Sequence, residues 1–431
     1  MFNGMPAGEC SAITMKRLFR MAGKFLVIIF CLLTGGYAFG QQEKSFVRKN
    51  LAYYYYPGAE IRLDYHVAWA AQRYVVYFRA TTLEGIELRN NYLLTYELRK
   101  DYQAEEAEFR DTISYSDVIY RNKNQFVFRL RAEASSGIGM MLIRFENLHN
   151  RREYLFDIPL KNDFIMPYSG IIVRKDGLPH FRPFVNERDT FALSFADTAS
   201  TGEAYCYYYQ TDFKPASPPM SQQPAKVQEN LRIDSLFALP VDEKIRFDKQ
   251  GLYLIQEDTT SVEGISLLAT DRFFPRVVEI EDVIEPLIYI STRAEREKLS
   301  SADNKKAALD RFWLNLSGNA QSAKNLIKQY YQRVREANAY FTNYKEGWKT
   351  DMGMIYILFG PPDEVYRDEE KEEWRYDKIY DIPPLSFSFV KIKNIFAQNH
   401  YSLIRSADYE RHWYRIVDMW RKGRFSGLEA N

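Results

Sequence analysis

The sequence predicts a multidomain chain: all-β at first, in immunoglobulin-like sandwich regions, then a C-terminal α+β domain with helices on a small antiparallel sheet. Three observations carry this. Apolar residues alternate with period two from about residue 45 to 162, with little helical periodicity. The chain is 16% aromatic, with 32 Tyr and 29 Phe, a composition suited to half-buried pleated surfaces. Apolar spacing of three and four residues, the mark of an amphipathic helix, sets in only after residue 300. The expected divisions are 1–40, 41–162, 163–280 and 281–431.

The first division reads as a signal peptide. Lys16, Arg17, Arg20 and Lys24 precede the apolar run Phe25 to Leu33, and Ala38-Phe39-Gly40 offers small residues for cleavage. The run is shorter than the ~20 residues a spanning helix needs. Phe30 before Cys31 lacks the small residue that acylation of Cys31 would require. Translation is expected to start at Met15, with Met1 and Met21 as alternatives, and the mature chain near Gln41 is expected in the periplasm or at the outer-membrane periphery. Membrane association is then peripheral at most.

Strands are expected at Ile61–Val67, Tyr74–Phe78, Tyr92–Leu98, Phe126–Leu130, Met140–Phe145 and Tyr154–Ile158, separated by turn signals at Glu84-Gly85, Arg121–Asn124 and Ser135-Ser136-Gly137. Such short strands without a βαβ alternation predict an immunoglobulin-like sandwich. The run Tyr53 to Tyr56 before Pro57 reads as an edge strand covering the core. A sugar-stacking platform is the functional alternative, but stacked rings alone lack the convergent polar groups of a ligand site.

The region 163–280 continues the β pattern at Gly170–Val173, Thr190–Phe195, Glu203–Gln210, Gly251–Ile255 and Gly264–Leu268. It is interrupted by residues 213–224, whose four prolines lack ladder donors, so a solvated spacer loop is expected. Cys206 is the only cysteine beyond the signal segment, so no internal disulfide is possible after cleavage. It sits in an aromatic strand, where a buried hydrophobe is the ordinary reading.

In the last division, Ser301 or Asp303 caps a helix bearing Ala307, Ala308, Phe312, Trp313 and Leu316, and Gly318 ends it. A second helix aligns Ala323, Leu326, Ile327, Tyr330, Val334, Ala337 and Phe341 on one face. Met354–Phe359 is then expected to be a central strand leaving through the rigid turn Gly360-Pro361-Pro362-Asp363. Asp368–Glu373 is expected to be a solvated hairpin loop, with Trp374-Arg375-Tyr376 pairing back on that strand. Leu385–Phe389 and Tyr401–Ile404 complete the sheet. Residues 290–431 are expected to fold alone.

The block Gly347-Trp348-Lys349-Thr350-Asp351-Met352-Gly353, followed by Tyr356-Ile357, Gly360-Pro361-Pro362-Asp363 and Trp374-Arg375-Tyr376, resembles the signature of the GWxTD family, secreted bacterial proteins with a C-terminal domain of that name. Asp310, Phe312, Trp313, Asn338 and Phe341 stand where the family has its helices. The resemblance implies an architecture and a compartment and hands over no reaction.

Asp351, Asp363, Glu364 and Asp310 could serve as paired acid and base or hold a hard cation. The favoured reading is structural: Trp348 as a core plug, Thr350 and Asp351 as a cap, Gly353 as a backbone relief, and no catalytic residue, cofactor or metal ligand. The histidines at 66, 149, 180, 400 and 412 show no metal-ligand spacing, and those at 149 and 180 read as loop residues. Fifty-eight basic against 57 acidic residues give no field to draw nucleic acid. From Asp408 to Arg424, Trp413, Ile416, Val417 and Trp420 recur at helical steps beside Arg415 and Arg421. This is expected to be either a closing helix or a partner surface, Trp and Arg being the residues that dominate interfaces. Together these features predict a non-enzymatic binding or assembly factor with envelope-protein partners. A carbohydrate-active or hydrolytic accessory protein using the carboxylates near Asp351 is the alternative.

Overall fold

The chain is strand-rich, with several sheets and a set of helices near its C-terminal end. The computed structural model describes residues 45–424, apart from 134–136, 162, 164, 197–201, 211, 222–230, 261 and 380–381. The expected signal peptide lies outside the described residues. Phe46–Asn431 form one compact unit by their contacts.

All six strands expected before residue 162 are present, and two short ones join them. They are β1 (Ile61–Ala70), β2 (Arg73–Thr82), β3 (Tyr92–Arg99), β4 (Phe109–Thr112), β5 (Val118–Arg121), β6 (Gln125–Glu133), β7 (Met140–Asn147) and β8 (Glu153–Pro159). They make two antiparallel sheets, β1-β2-β6-β5 and β4-β3-β7-β8. Ala71 and Gln72 both have positive φ, 48° and 61°, which matches the twist of a two-residue hairpin between β1 and β2. Phe78, Phe128, Ile143, Phe145 and Phe156 fill the space between the sheets, and the Phe78 and Phe128 rings stack at 4.7 Å.

The inner strands are buried on both faces, so their alternation is incomplete. Met140 and Leu142 of β7 and Leu155 of β8 belong to the core of the C-terminal helices and sheet, together with Phe46, Leu51 and Tyr55. The tyrosine run is not an edge strand. Ala52–Tyr54 form a 3₁₀ turn, and the three hydroxyls point inward: Tyr53 donates to the Leu155 carbonyl (2.6 Å), Tyr54 to Asp157 (2.8 Å) and Tyr55 to Glu372 (2.7 Å). Three rings packed with their hydroxyls bonded inward make Tyr53–Tyr55 a seam inside the protein, while Tyr56 is exposed.

The next strands are β9 (Ile171–Lys175), β10 (Leu178–Pro179), β11 (Phe184–Asn186), β12 (Ala192–Phe195), β13 (Glu203–Tyr209), β14 (Ser235–Pro240), β15 (Gly251–Gln256) and β16 (Ile265–Thr270). A three-stranded sheet, β10-β9-β12, and a five-stranded one, β11-β16-β15-β13-β14, share a core of Ile171, Val173, Cys206, Tyr253 and Ile255. Strands β10, β11 and β14 are too short or too exposed to leave a period. The pair β11 and β16 is parallel, which brings residues 184–186 beside 268–270 across a long connection.

The proline-rich segment differs from the solvated spacer that its composition predicts. Phe213 is buried against Tyr344, with ring centroids 5.0 Å apart, and Pro219 is buried too. Ala216 N donates to the Lys349 carbonyl (3.0 Å), Arg405 donates to the Ser217 carbonyl (3.1 Å) and Ser406 N to the Pro219 carbonyl (3.1 Å). Prolines remove donors but leave every carbonyl as an acceptor in an extended strap, and the C-terminal part uses them.

Helices gather after residue 280: α1 (Ile280–Ile284), α2 (Arg293–Ser301), α3 (Lys305–Ser317), α4 (Ala320–Phe341), α5 (Asp351–Phe359) and α6 (Tyr409–Arg421). Asn304, not Ser301 or Asp303, caps α3 by accepting from Ala307 N, and Gly318 at φ 78° ends it. Asn319 caps α4, whose buried stripe is the expected one. The main correction is α5, since Met354–Phe359 is helical and not a strand. Thr350 caps it by accepting from Gly353 N, and all nine of its residues are buried. A helix apolar all round has no amphipathic signature, so periodicity cannot separate it from a buried strand.

The sheet beside these helices is β17 (Glu364–Arg367), β18 (Lys371–Tyr376), β19 (Leu385–Lys391) and β20 (Tyr401–Leu403), antiparallel in that order. Trp374-Arg375-Tyr376 therefore pairs with Glu364 and Val365 and with Leu385–Phe387, there being no strand at 354–359 to receive it. The acidic stretch 368–373 is a loop only through Glu370. Glu372 is in β18 and has no exposed surface.

Candidate functional site

The Gly347–Gly353 block ties α4, α5 and β20 together. Gly347 lies flush on α4: a Cβ there would stand 2.0 Å from the Ala337 carbonyl oxygen and 2.8 Å from Asn338 Cα. Gly353 lies equally close to Gly347, with 1.9 Å from a notional Cβ to the Gly347 oxygen. Asn338, fully buried, accepts from Trp348 N (3.0 Å) and donates to the Pro275 carbonyl (3.1 Å). Thr350 Oγ1 donates to the Gly347 carbonyl (2.7 Å) and accepts from Gly353 N (3.0 Å). The Trp348 indole is in the core, and its carbonyl accepts from the Tyr289 hydroxyl (2.8 Å). Each residue type thus answers a packing or hydrogen-bonding demand of the same crossing.

Asp351 faces away from solvent. Its carboxylate accepts from Leu403 N (2.9 Å) and from Arg405 Nη2 (2.6 Å), both side chains of the pair being under 10% exposed. That clamps the start of α5 to β20, and through Arg405 to the proline strap. Lys349 is the variable position of the motif, and it is buried as well. Its ammonium lies 3.2 Å from Glu346, 3.9 Å from Glu285 and 3.1 Å from Asp212. Burial pulls its pKa down, but these carboxylates outweigh the burial and hold it above the ordinary lysine value.

The far end of α5 is finished by side chains from other elements. Arg333 donates to the Ile357 and Leu358 carbonyls (3.2 and 3.0 Å), and Trp420 Nε1 also donates to the Leu358 carbonyl (3.0 Å). The Tyr376 hydroxyl donates to the Gly360 carbonyl (2.9 Å). A cation here complements the helix C-terminus, although burial lowers the Arg333 pKa to about 10. Gly360, at φ 86°, starts the turn, and Pro362 is buried within it. Asp363 closes the turn by accepting from Asp377 N (2.8 Å) and Lys378 N (3.0 Å).

A second polar cluster joins β8 to the β17–β18 hairpin. Arg367 donates to Asp157 (2.7 Å) and Glu372 (2.6 Å), and Glu372 also accepts from Trp374 Nε1 (2.6 Å). Tyr54 and Tyr102 donate to Asp157 at 2.8 and 2.7 Å. Burial pushes the Asp157 pKa up, but Arg367 and the two hydroxyls overcome it and leave the carboxyl below its usual range. Lys391 is buried nearby, and burial together with Arg367 lowers its pKa to about 8. Sequence reasoning missed Arg367, Glu372, Asp157, Lys391, Arg333 and Arg405. Only a charge inside an alternating strand, as at Glu372, was there to signal them.

The expected carboxylates do not converge. Asp351 is buried against Arg405 and Asp363 holds a turn. Glu364 lies 3.6 Å from Arg375 on the hairpin, and Asp310 is on an exposed face of α3 with Lys306. None of them lines the cleft bordered by Val47, Tyr366 and Lys371 or the one beside Trp69 and Tyr168. No group of His, Cys, Asp and Glu among those residues could hold a metal ion, and no helix there is long and apolar enough to cross a membrane.

The expected partner surface also changes. Residues 409–421 are a helix, but Trp413 is 5% exposed and Trp420 fully buried, and Arg421 is tied to Glu295 and the Ile290 carbonyl. The tryptophans are core plugs, so they cannot form an exposed aromatic face with Arg415. Arg411, Tyr414 and Asp418 form the outward side instead.

The knot of glycines, tryptophan, cap and clamp lies where helices meet a four-stranded sheet in the C-terminal part of the strand-rich chain. Residues 251–422 match the family model of the GWxTD domain, so this part of the chain is a GWxTD domain. The match begins at β15, so it takes in two strands of the five-stranded sheet that the expected boundary at 281 leaves outside. Comparisons with curated proteins and with solved structures gave no match.

Proposed function

We propose that the protein is a secreted cell-envelope component acting as a non-enzymatic protein-binding or assembly module, in which immunoglobulin-like β regions position the GWxTD domain. The observation that carries the reading is the use of the motif's polar groups. Asp351, Thr350 and Asp363 spend their hydrogen bonds on the fold, whereas a catalytic site needs a nucleophile, base or oxyanion donors aimed at a substrate. The basic and apolar N-terminal pattern supports export. The outward side of α6, with Arg411, Tyr414 and Asp418, is the surface this reading assigns to an envelope partner.

The hydrolytic or carbohydrate-active alternative needs Asp351 released from Arg405, and its geometry supports it less. The test is a tagged chain expressed in its own cells, with a photo-crosslinking residue at Tyr414 and, as control, at Leu236. The reading expects an intact mass starting near Gln41, an envelope fraction, and a defined adduct from position 414 alone. A mass retaining residues 25–33, or an equal adduct pattern from both positions, refutes it.

A further inference from the structure

A cleft of about 470 Å³ opens where three separate segments meet. The 3₁₀ turn Phe46–Arg48 gives it Val47 and Arg48, the loop between β3 and β4 gives Gln103, and the β17–β18 hairpin gives the rest, Tyr366 and Lys371 among them. Each segment has its own anchor. Phe46 is 1% exposed in the core, Asp101 accepts from Gln103 N (2.9 Å) and Ala104 N (2.8 Å), and Asp368 accepts from Glu370 N and Lys371 N (both 2.9 Å). The walls are therefore held by backbone contacts and leave side chains to line the space between them.

Four cations line the cleft against two carboxylates. Most of these charges are already spent. Arg367 is bonded to the buried Asp157 and Glu372, Arg375 lies 4.8 Å over the Tyr366 ring and donates to Glu373 (2.8 Å), and Asp368 holds its turn. Arg48 and Lys371 differ from them. Both are exposed, and among the described residues neither the guanidinium nor the ammonium has an ion pair or a hydrogen bond; the Gln103 side-chain amide is unpartnered as well. The cleft thus offers two unmatched positive charges and a spare amide, drawn from three segments, beside Val47 and the Tyr366 ring. A carboxylate would answer only one of those charges. A phosphate monoester carries close to two negative charges at neutral pH and three acceptor oxygens. Arg and Lys are the side chains suited to such oxygens, the first as a planar fork and the second as a point charge.

We propose that this cleft binds a phosphate monoester, its phosphoryl oxygens taken by Arg48 and Lys371 with Gln103 donating a further bond, and its organic group laid against Tyr366. A soluble ester and a lipid headgroup ending in a monoester offer the same chemistry. No residue of the Gly347–Gly353 block lines the cleft, and the inference does not depend on the envelope reading above.

Titration calorimetry of the full chain at about pH 7.5, above the second phosphate pKa near 6, takes phenyl phosphate, methyl phenyl phosphate and benzoate as soluble probes. Flotation with phosphatidylcholine vesicles supplies the lipid arm, doped with phosphatidic acid, a monoester, or with phosphatidylglycerol, a diester, at matched surface charge. The expected result is one saturable site for the monoester in at least one arm, with the diester and benzoate about tenfold weaker or more. Binding of phenyl phosphate alone assigns the source to a soluble ester, binding of phosphatidic acid alone to a headgroup, and binding of both shows that the phosphoryl group itself is read. Arg48→Gln/Lys371→Gln should weaken the monoester by about tenfold. Arg129→Gln, which removes an exposed cation of β6 that does not line the cleft, should leave it unchanged. Should the double variant melt early, the monoester and diester compared on the wild-type chain still decide the matter. Binding of neither monoester, equal binding of the diester or benzoate, an unchanged affinity in the folded double variant, or an equal loss in Arg129→Gln overturns the proposal.

Discussion

Replacing Gly347 by alanine tests the knot most directly. The added methyl would lie 2.0 Å from the Ala337 carbonyl oxygen, 2.7 Å from its carbon and 2.8 Å from Asn338 Cα. All three are backbone atoms of a 22-residue helix, so no side-chain rotation relieves the clash. The 347–350 segment must retreat by roughly an ångström to reach ordinary contact. That retreat breaks the 3.0 Å bond from Trp348 N to Asn338, leaving both groups buried and unpaired. Overpacking of this kind costs ~1–3 kcal/mol and the lost bond another ~1–3 kcal/mol, so about 2–6 kcal/mol is expected in all. Urea unfolding followed by tryptophan fluorescence is the assay, because the five buried indoles all lie between residues 313 and 420 and report this domain. Gly202→Ala, with nothing within 4 Å of its Cβ, is the control. Equal midpoints for the two variants would refute the close-approach argument.

Asp351→Asn leaves Arg405 buried without its charge partner and should cost ~3–5 kcal/mol, with part recovered in Asp351→Asn/Arg405→Met; a melting temperature unchanged from wild type would contradict the clamp. Burial, reinforced by Lys345, lowers the His400 pKa to about 4, and burial does the same for His66. The unfolded chain, with histidines near 6.5, therefore binds more protons between pH 6.5 and 4, and stability should fall as pH falls through that window. His400→Gln should flatten that slope, and an identical slope in the variant would count against it. A fragment of residues 290–431, the segment expected to fold alone, should unfold at lower urea than the same residues in the full chain, because Phe46, Leu51, Tyr55 and Leu155 are part of their core and Arg367 loses Asp157; equal midpoints would refute this dependence on the upstream residues.

Much of the local structure was legible. The strands from Ile61 to Ile158 announced themselves by alternation, and the stripe of α4 by its spacing, because each has one wet face and one dry face. Thr350 and Gly353 were readable as a cap and a relief, since those roles involve only a few neighbouring residues. Helix α5 was not, because burial on every side erases the contrast between faces from which a period is read. Trp413 and Trp420 left a closing helix and a partner surface both open for a related reason: the same residue types serve a core and an interface, and only burial, which selects the closing helix, separates them.

The sequence by itself determined the alternating strands, the two long helices, the domain family and the constrained turn at Gly360–Asp363. Interactions local in the chain, or residue types at a fixed spacing, suffice for these. The tertiary structure decided which charges pair. Asp351 meets Arg405, Asp157 meets Arg367, and the proline strap gives its carbonyls to Arg405 and Ser406. These partners lie from tens to hundreds of residues apart, and a buried charge acquires its partner only when the apolar cores around it have closed.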